Sequence, residues 1–174
     1  NDLGKDQPQI SEAEYQDLKK TIFQPMENYE VGRNEIVTGT VSPSYILPIH
    51  GLQRLEKIMD EYVGGISSHY TTNEPLLTRG LELLEMLKED LDHLGAEDFH
   101  QLQRAWELQH RVLASESVTR HTMFRTETRW PGYYYRADHP KLNDTDWHCF
   151  TLSRFDRESG QWDLEKAPVY HIID

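Results

Sequence analysis

Leucine recurs at helical spacing between residues 77 and 94. Intervals of three and four residues place side chains on one stripe of an α-helix, whereas a strand alternates every second residue. Such a stripe is usually buried in a helical bundle, and it is short for a coiled coil that would join subunits. The pattern therefore predicts a core helix that ends near Gly95. Its members are Leu77, Leu81, Leu84, Leu87, Leu91 and Leu94.

An earlier segment carries a helix start signal. Ser11 and Glu14 have the spacing of a capping box, in which each side chain accepts a hydrogen bond from a backbone N–H of the first turn. Because proline disfavours a helical conformation in the residue before it, we expect this helix to end before Pro25. Residues 27–44 lack a helical period, and we expect an irregular connection that packs on another domain. The apolar positions of the helix are Tyr15, Leu18 and Ile22.

Two more helices complete the expected bundle. A helix is predicted over about residues 45–62, with Pro48 in its first turn and a glycine pair after its end. The segment Thr71–Glu74 has the spacing of a second capping box, at the start of the leucine-rich helix. A fourth helix is predicted from about residue 96 to residue 124. The short connections between the last three helices favour antiparallel neighbours.

The period changes to that of strands near the C-terminus. Residues 149–155 and 161–165 alternate, and the turn between them contains Gly160, which can adopt a positive φ. We therefore expect one mainly α domain over residues 1–174: an antiparallel bundle of three to four helices, an aromatic-rich segment and a small β-hairpin. Within it, residues 1–10 are expected to be loose, residues 11–124 helical, and residues 125–174 to form the aromatic segment and hairpin.

Charge and cysteine content narrow the function classes. A net charge of −12 argues against a nucleic-acid-binding face. The one cysteine, Cys149, cannot hold an iron–sulfur cluster and is expected to be a small buried hydrophobe. The nine histidines do not predict a metal site. His100 and His110, for example, are about 15 Å apart along a helix, which is too far for them to bind one ion. No stretch is apolar enough to span a membrane, and a cytoplasmic location is expected.

Residues 125–148 are the densest run of unusual chemistry. Three arginines, Arg125, Arg129 and Arg136, are interleaved with acids and with large aromatic side chains that a solvated loop would not bury. Arginine can pair with a carboxylate and stack on a ring at the same time. We expect an internal arginine–carboxylate network that stabilises one end of the bundle; the alternative is a surface for a missing domain or for an anion.

The same run carries a family resemblance. Glu127-Thr128-Arg129, Arg136-Ala137-Asp138-His139-Pro140, Asn143-Asp144 and Trp147 follow the order of a C-terminal motif of the fumarate reductase/succinate dehydrogenase flavoprotein superfamily. The run Trp130-Pro131-Gly132-Tyr133-Tyr134-Tyr135 departs from the general motif and resembles the adenylylsulfate (APS) reductase α-subunit family.

The resemblance implies a role within a larger enzyme. That family reduces adenylylsulfate to sulfite and AMP, or catalyses the reverse, with FAD in an upstream domain and 4Fe–4S clusters in a β subunit. The resemblance implies no catalytic, cofactor-binding or metal-binding residue in this chain. The first residue is Asn1 and not methionine, so we expect the chain to be a piece of a longer polypeptide. The alternatives are another fumarate reductase-like flavoprotein and a free-standing helical interaction module. The candidate contacts with upstream FAD-binding and capping domains or an iron–sulfur subunit are Glu127, Arg129, Trp130, Arg136, Asp138 and Trp147.

Overall fold

A computed structural model describes residues 10–35, 42–129, 134–156 and 158–170. The long helices are α1 (Glu12–Gly32), α2 (Pro48–Tyr62), α3 (Glu74–Leu91) and α4 (Phe99–Phe124). Two short strands, β1 (Thr71–Thr72) and β2 (Tyr135–Arg136), pair with each other, and a single turn, α5 (Asp144–Trp147), leads to the hairpin β3 (Cys149–Asp156) and β4 (Gln161–Pro168). The mainly helical fold class with a C-terminal hairpin is therefore confirmed.

The core lies between α2, α3 and α4. The leucine-rich helix contributes Leu77, Leu84 and Leu87, all of which are buried, and Leu94 lies just beyond its end. Helices α2 and α4 approach closely at Gly51, where an added Cβ would lie 2.4 Å from Leu108 Cδ2. None of the described helices is long and apolar enough to cross a membrane.

Helix α1 continues through Pro25, so the expectation that it ends there is wrong. The second half of the helix is held from outside: the Pro25 carbonyl accepts from the Ala96 amide at 2.8 Å, and Asn28 Nδ2 donates to the Leu94 carbonyl at 2.9 Å. These tertiary contacts outweigh the cost of proline in a helix. Of the expected irregular connection 27–44, residues 27–32 are therefore helical, residues 33–35 form a 3₁₀ turn, and residues 36–41 lie outside the described part.

The capping box expected at Thr71–Glu74 is also wrong. Asn73 is the N-cap of α3, and its side chain accepts from the Leu76 amide at 3.0 Å. Thr71 and Thr72 are instead in strand β1, which runs parallel to β2 and pairs Thr72 with Arg136. A long-range pairing of two residues leaves no periodic signal in the sequence, and it places Arg136 beside the start of α3.

The hairpin is confirmed, and it is longer than predicted. Strands β3 and β4 are antiparallel, and Gly160 in the connecting turn has a φ of 68°. His121 Nδ1, in the last turn of α4, lies 2.9 Å from Thr151 Oγ1 of β3, which ties the hairpin to the end of the bundle. Cys149, which was expected to be buried, is half-buried.

Candidate functional site

Arg136 is the most buried arginine of the predicted cluster. It is 1% exposed, although arginine is almost never buried unless it is paired. Its guanidinium meets Asp138 in a bidentate pair, with Nε 2.9 Å from Oδ1 and Nη2 2.7 Å from Oδ2. The third nitrogen, Nη1, donates to the carbonyls of Thr122 and Met123 in the last turn of α4 and to that of Arg125. Arg136 thus satisfies carbonyls that the end of a helix leaves unpaired.

Asp138 connects this pair to another helix. Its Oδ2 accepts from the Glu74 amide, the first residue of α3, at 2.9 Å. Hydrogen bonds from Arg136 hold the pKa of Asp138 well below its ordinary value, although partial burial opposes this. In this pair, the positive Arg136 lies at the negative C-terminal end of the α4 dipole, and the negative Asp138 lies at the positive N-terminal end of the α3 dipole. The pair therefore connects the two helix ends with complementary charges.

Glu127 is the centre of a second cluster, and its side chain is fully buried. Its Oε1 accepts from Arg125 Nη1 and Arg129 Nε, both at 2.7 Å. Its Oε2 accepts from Arg129 Nη2 at 3.1 Å and from the Asn143 amide at 2.9 Å. Burial raises the pKa of Glu127, but the bonds from Arg129, Asn143 and Arg125 outweigh it and leave the pKa lowered. The residue is thus an ionised, fully bonded carboxylate inside the protein.

The two arginines of this cluster extend it to α5 and the hairpin. Arg129 Nη2 also pairs with Asp144 Oδ1 at 2.9 Å and donates to the Trp147 carbonyl at 3.1 Å. Arg125 donates to the carbonyls of Trp147 and Cys149, both at 2.9 Å. The arginines therefore fix the path of the backbone from α5 into β3 by donating hydrogen bonds to its carbonyl oxygens.

Trp147 is buried between cations. Arg125 Cζ lies 5.3 Å, and Lys166 Nζ 3.6 Å, from the centre of its ring. The indole Nε1 donates to Thr126 Oγ1 at 3.0 Å, and the ring meets Phe124 edge-on at 5.5 Å. Cation–π contacts of this kind are worth about 0.5–2 kcal/mol each, depending on desolvation. Trp147 therefore anchors α5 against the end of α4.

The structure brings together five of the six candidate contact residues. Glu127, Arg129 and Trp147 belong to the cluster around Glu127, and Arg136 and Asp138 form the neighbouring pair. The sixth, Trp130, lies outside the described residues, as do the turn residues 131–132 and Tyr133. Of the remaining aromatic residues, Tyr134 is half-buried and Tyr135 is 37% exposed. The prediction of an internal arginine–carboxylate network holds for the described arginines.

Two residues of the site were not expected from the sequence. Thr128 is buried, and its Oγ1 accepts from the Arg136 amide at 3.0 Å and donates to the His139 carbonyl at 2.9 Å, which connects the two clusters. Its position between Glu127 and Arg129 was the one available hint. Lys166 lies far along the chain in β4, and no local pattern indicates its contact with Trp147.

The charges of the network are balanced within it. Its three arginines are matched by the carboxylates of Glu127, Asp138 and Asp144. In the described part of the chain, no three His, Cys, Asp or Glu residues are arranged to hold a metal ion. The arrangement is one that fixes structure.

Comparison with known proteins decides the family. The model of the fumarate reductase flavoprotein C-terminal region matches residues 52–172 of this chain.

The chain belongs to the fumarate reductase flavoprotein C-terminal family.

Within that family, it is similar to adenylylsulfate reductases. It is 42% identical over 158 residues to adenylylsulfate reductase subunit alpha of Megalodesulfovibrio gigas, covering 91% of this chain and 24% of the relative. The structure of adenylylsulfate reductase from Archaeoglobus fulgidus superposes with a TM-score of 0.92 and 51% identity, over 97% of this chain and 26% of that chain. This chain therefore spans about a quarter of the length of those relatives.

More distant family members share the fold alone. The Escherichia coli quinol fumarate reductase FrdA superposes with a TM-score of 0.72 at 17% identity, over 99% of this chain and 27% of that chain. The family match over residues 52–172 includes the whole arginine–carboxylate network. The resemblance stated from the sequence, to the flavoprotein superfamily and to adenylylsulfate reductase α subunits, is therefore confirmed.

Proposed function

We propose that this chain is the C-terminal domain of an adenylylsulfate reductase α subunit. The observation that carries the proposal is the 51% identity, with a TM-score of 0.92 over 97% of the chain, to an adenylylsulfate reductase structure. The complete protein then adds two electrons to adenylylsulfate and releases sulfite and AMP, or runs the reverse reaction. The Escherichia coli quinol fumarate reductase FrdA is only 17% identical to this chain, which weighs against the fumarate reductase-like alternative.

The role of the domain in this proposal is structural. The Arg136–Asp138 pair ties the start of α3 to the end of α4, and the Glu127 cluster fixes α5 and the hairpin. We assign the contacts with the rest of the protein to the partly exposed members, Arg129 and Asp138, whose side chains are 23% and 26% exposed. Arg129 and Asp138 are positioned by the buried residues Glu127, Arg136 and Trp147. Trp130 stays a candidate contact because it follows Arg129 in the sequence.

The FAD of the proposed enzyme is assigned to other parts of the protein. A dinucleotide site needs a strand that leads through a glycine-rich turn into a helix N-terminus. In the described residues, the parallel pair β1 and β2 has two residues per strand, and Asn73, not a glycine-rich turn, joins β1 to α3. These residues do not fit the flavin.

The remaining partners also follow from the proposal. They are upstream FAD-binding and capping domains of the same polypeptide and a β subunit with 4Fe–4S clusters. The location proposed for the complete protein is the cytoplasm. We infer no native cofactor for the 174 residues alone.

An assay of the complete gene product tests the proposal. The protein is purified with its bound flavin and any co-purifying subunit, and AMP-dependent oxidation of sulfite is measured with an artificial electron acceptor. We expect sulfite oxidation that requires AMP, and no reduction of fumarate by a reduced dye. Fumarate reduction without AMP-dependent sulfite oxidation would support the fumarate reductase-like alternative. A gene product that lacks any flavin-binding region would support a free-standing interaction module.

A further inference from the structure

A shallow apolar groove lies between α2 and α4, away from the arginine–carboxylate network. Its apolar lining comes from Pro48, Ile49 and Leu52 of α2 and from Leu108 of α4. Ile49 is 43% exposed there, so apolar surface remains in contact with water. The groove has a volume of about 220 Å³, below the usual range of about 300–1,000 Å³ for small-molecule pockets. It suits one or two side chains of another polypeptide better than a cofactor.

The groove is also lined by two arginines that form no ion pair with any carboxylate in the described part of the chain. Among the ten arginines of the described residues, seven form ion pairs with carboxylates. Arg104, Arg111 and Arg154 form none with the carboxylates that the structure describes, and the first two both line this groove.

The groove contains one acid of its own. Glu107 lies between the arginines in the sequence and lines the same groove, but its carboxylate accepts from Gln103 Nε2 at 3.3 Å and pairs with neither arginine. The local balance is therefore two positive charges against one negative charge, beside apolar surface.

We propose that the α2–α4 groove binds an acidic, amphipathic helical segment of a partner polypeptide. Arg104 and Arg111 are seven residues apart, about two turns or 10.5 Å along α4. Two carboxylates at the same separation on a docked helix match them, and an apolar side chain between the carboxylates enters the groove beside Ile49. Helix-in-groove recognition uses such anchors, and arginine pairs well with carboxylates. This inference does not depend on the enzymatic activity proposed above.

A set of three peptides tests the proposal with the 174-residue chain. The probe is a fluorescein-labelled, alanine-rich helical peptide with Glu, Leu and Glu at positions i, i+4 and i+7. The matched peptides carry Lys in place of both Glu residues, or Ser in place of Leu. Fluorescence anisotropy at low salt is expected to show binding of the Glu–Leu–Glu peptide about tenfold tighter than of either matched peptide, and weaker binding as salt is added.

Charge reversal locates the binding. The double variant Arg104→Glu/Arg111→Glu is expected to lose about tenfold in affinity for the Glu peptide and to gain affinity for the Lys peptide. The control Lys19→Glu/Lys20→Glu changes the net charge equally on the exposed side of α1, and it is expected to change the affinity less than twofold.

Several results would overturn the proposal. They are no measurable binding of the Glu peptide to the wild-type chain, equal affinities for the Leu and Ser peptides, and equal losses in the two double variants. Because the peptide comparison uses the wild-type chain, it decides the matter even if the charge-reversed variant fails to fold.

Discussion

Arg136 and Asp138 form a bidentate ion pair, in which Arg136 Nη2 lies 2.7 Å from Asp138 Oδ2. Each partner also bonds to a different helix: the Arg136 guanidinium donates to carbonyls at the end of α4, and the Asp138 carboxylate accepts from the first amide of α3. Two residues, one at the end of strand β2 and one just after it, thus hold together the termini of two core helices. Loss of either partner is expected to affect both helices.

The first prediction concerns Arg136→Ala. Removing the guanidinium leaves Asp138 without its main partner and the carbonyls at the end of α4 unpaired. Breaking a buried ion pair costs about 3–5 kcal/mol, so we expect a decrease of that size in the free energy of unfolding measured with urea.

The matched control is Arg79→Ala, which breaks an exposed pair with Glu82 on α3. An exposed pair contributes about 0–1 kcal/mol, so this variant is expected to remain close to the wild type. Equal losses in the Arg136 and Arg79 variants would contradict a structural role for the buried pair.

The second prediction is a pH dependence from Asp138. Because Arg136 lowers its folded-state pKa, the carboxylate stabilises the fold fully above the unfolded pKa of about 3.9. That stabilisation is lost as the pH falls below this value towards the folded-state pKa. The difference in unfolding free energy between the wild type and Asp138→Asn should therefore shrink as the pH is lowered from about 5 to about 2. A difference that stays constant over this range would show that Asp138 is not the titrating partner.

The third prediction is an energetic coupling between Glu127 and Arg129. Their side chains share two hydrogen bonds, at 2.7 and 3.1 Å, so the variants Glu127→Gln and Arg129→Gln should not be additive. A double-mutant cycle is expected to give a coupling of about 0.5–3 kcal/mol. The same cycle with Arg79 and Glu82, an exposed pair on α3, is the control and should give less. Additive effects at Glu127 and Arg129 would contradict the observed contact.

The fourth prediction concerns the helix contact at Gly51. A methyl group there would lie 2.4 Å from Leu108 Cδ2, so Gly51→Ala should force α2 and α4 apart and destabilise the chain by about 1–3 kcal/mol. Adding Leu108→Ala creates space for the new methyl group, so thermal unfolding of the double variant should show a smaller loss than the sum of the single losses. If the losses of the two single variants simply add in the double variant, the new methyl group at position 51 does not contact the Leu108 side chain.

Periodic features of the chain could be predicted from the sequence. The leucine stripe of α3, the extent of α4 and the hairpin turn at Gly160 each follow from local spacing, and the structure has all of them. The continuation of α1 past Pro25 could not be predicted in this way. It depends on hydrogen bonds between the second half of α1 and residues near position 95, about seventy residues along the chain.

The candidate site shows the same limit. The residue types and their density indicated an arginine–carboxylate network, and Arg129 and Arg136 have carboxylate partners two residues away in the sequence. The contacts of Arg136 could not be predicted from the sequence, because its carbonyl partners lie at the end of α4 and its strand pairs with β1. These contacts depend on the tertiary fold.

One measurement tests most directly whether the network has the proposed structural role or a catalytic one. In the complete, flavin-loaded protein, turnover per bound flavin is compared between the wild type and Arg129→Ala, with the melting temperature recorded for each. The account predicts a lower melting temperature, less folded protein and near-normal turnover per flavin in the molecules that survive. An unchanged melting temperature with a collapsed turnover would contradict it.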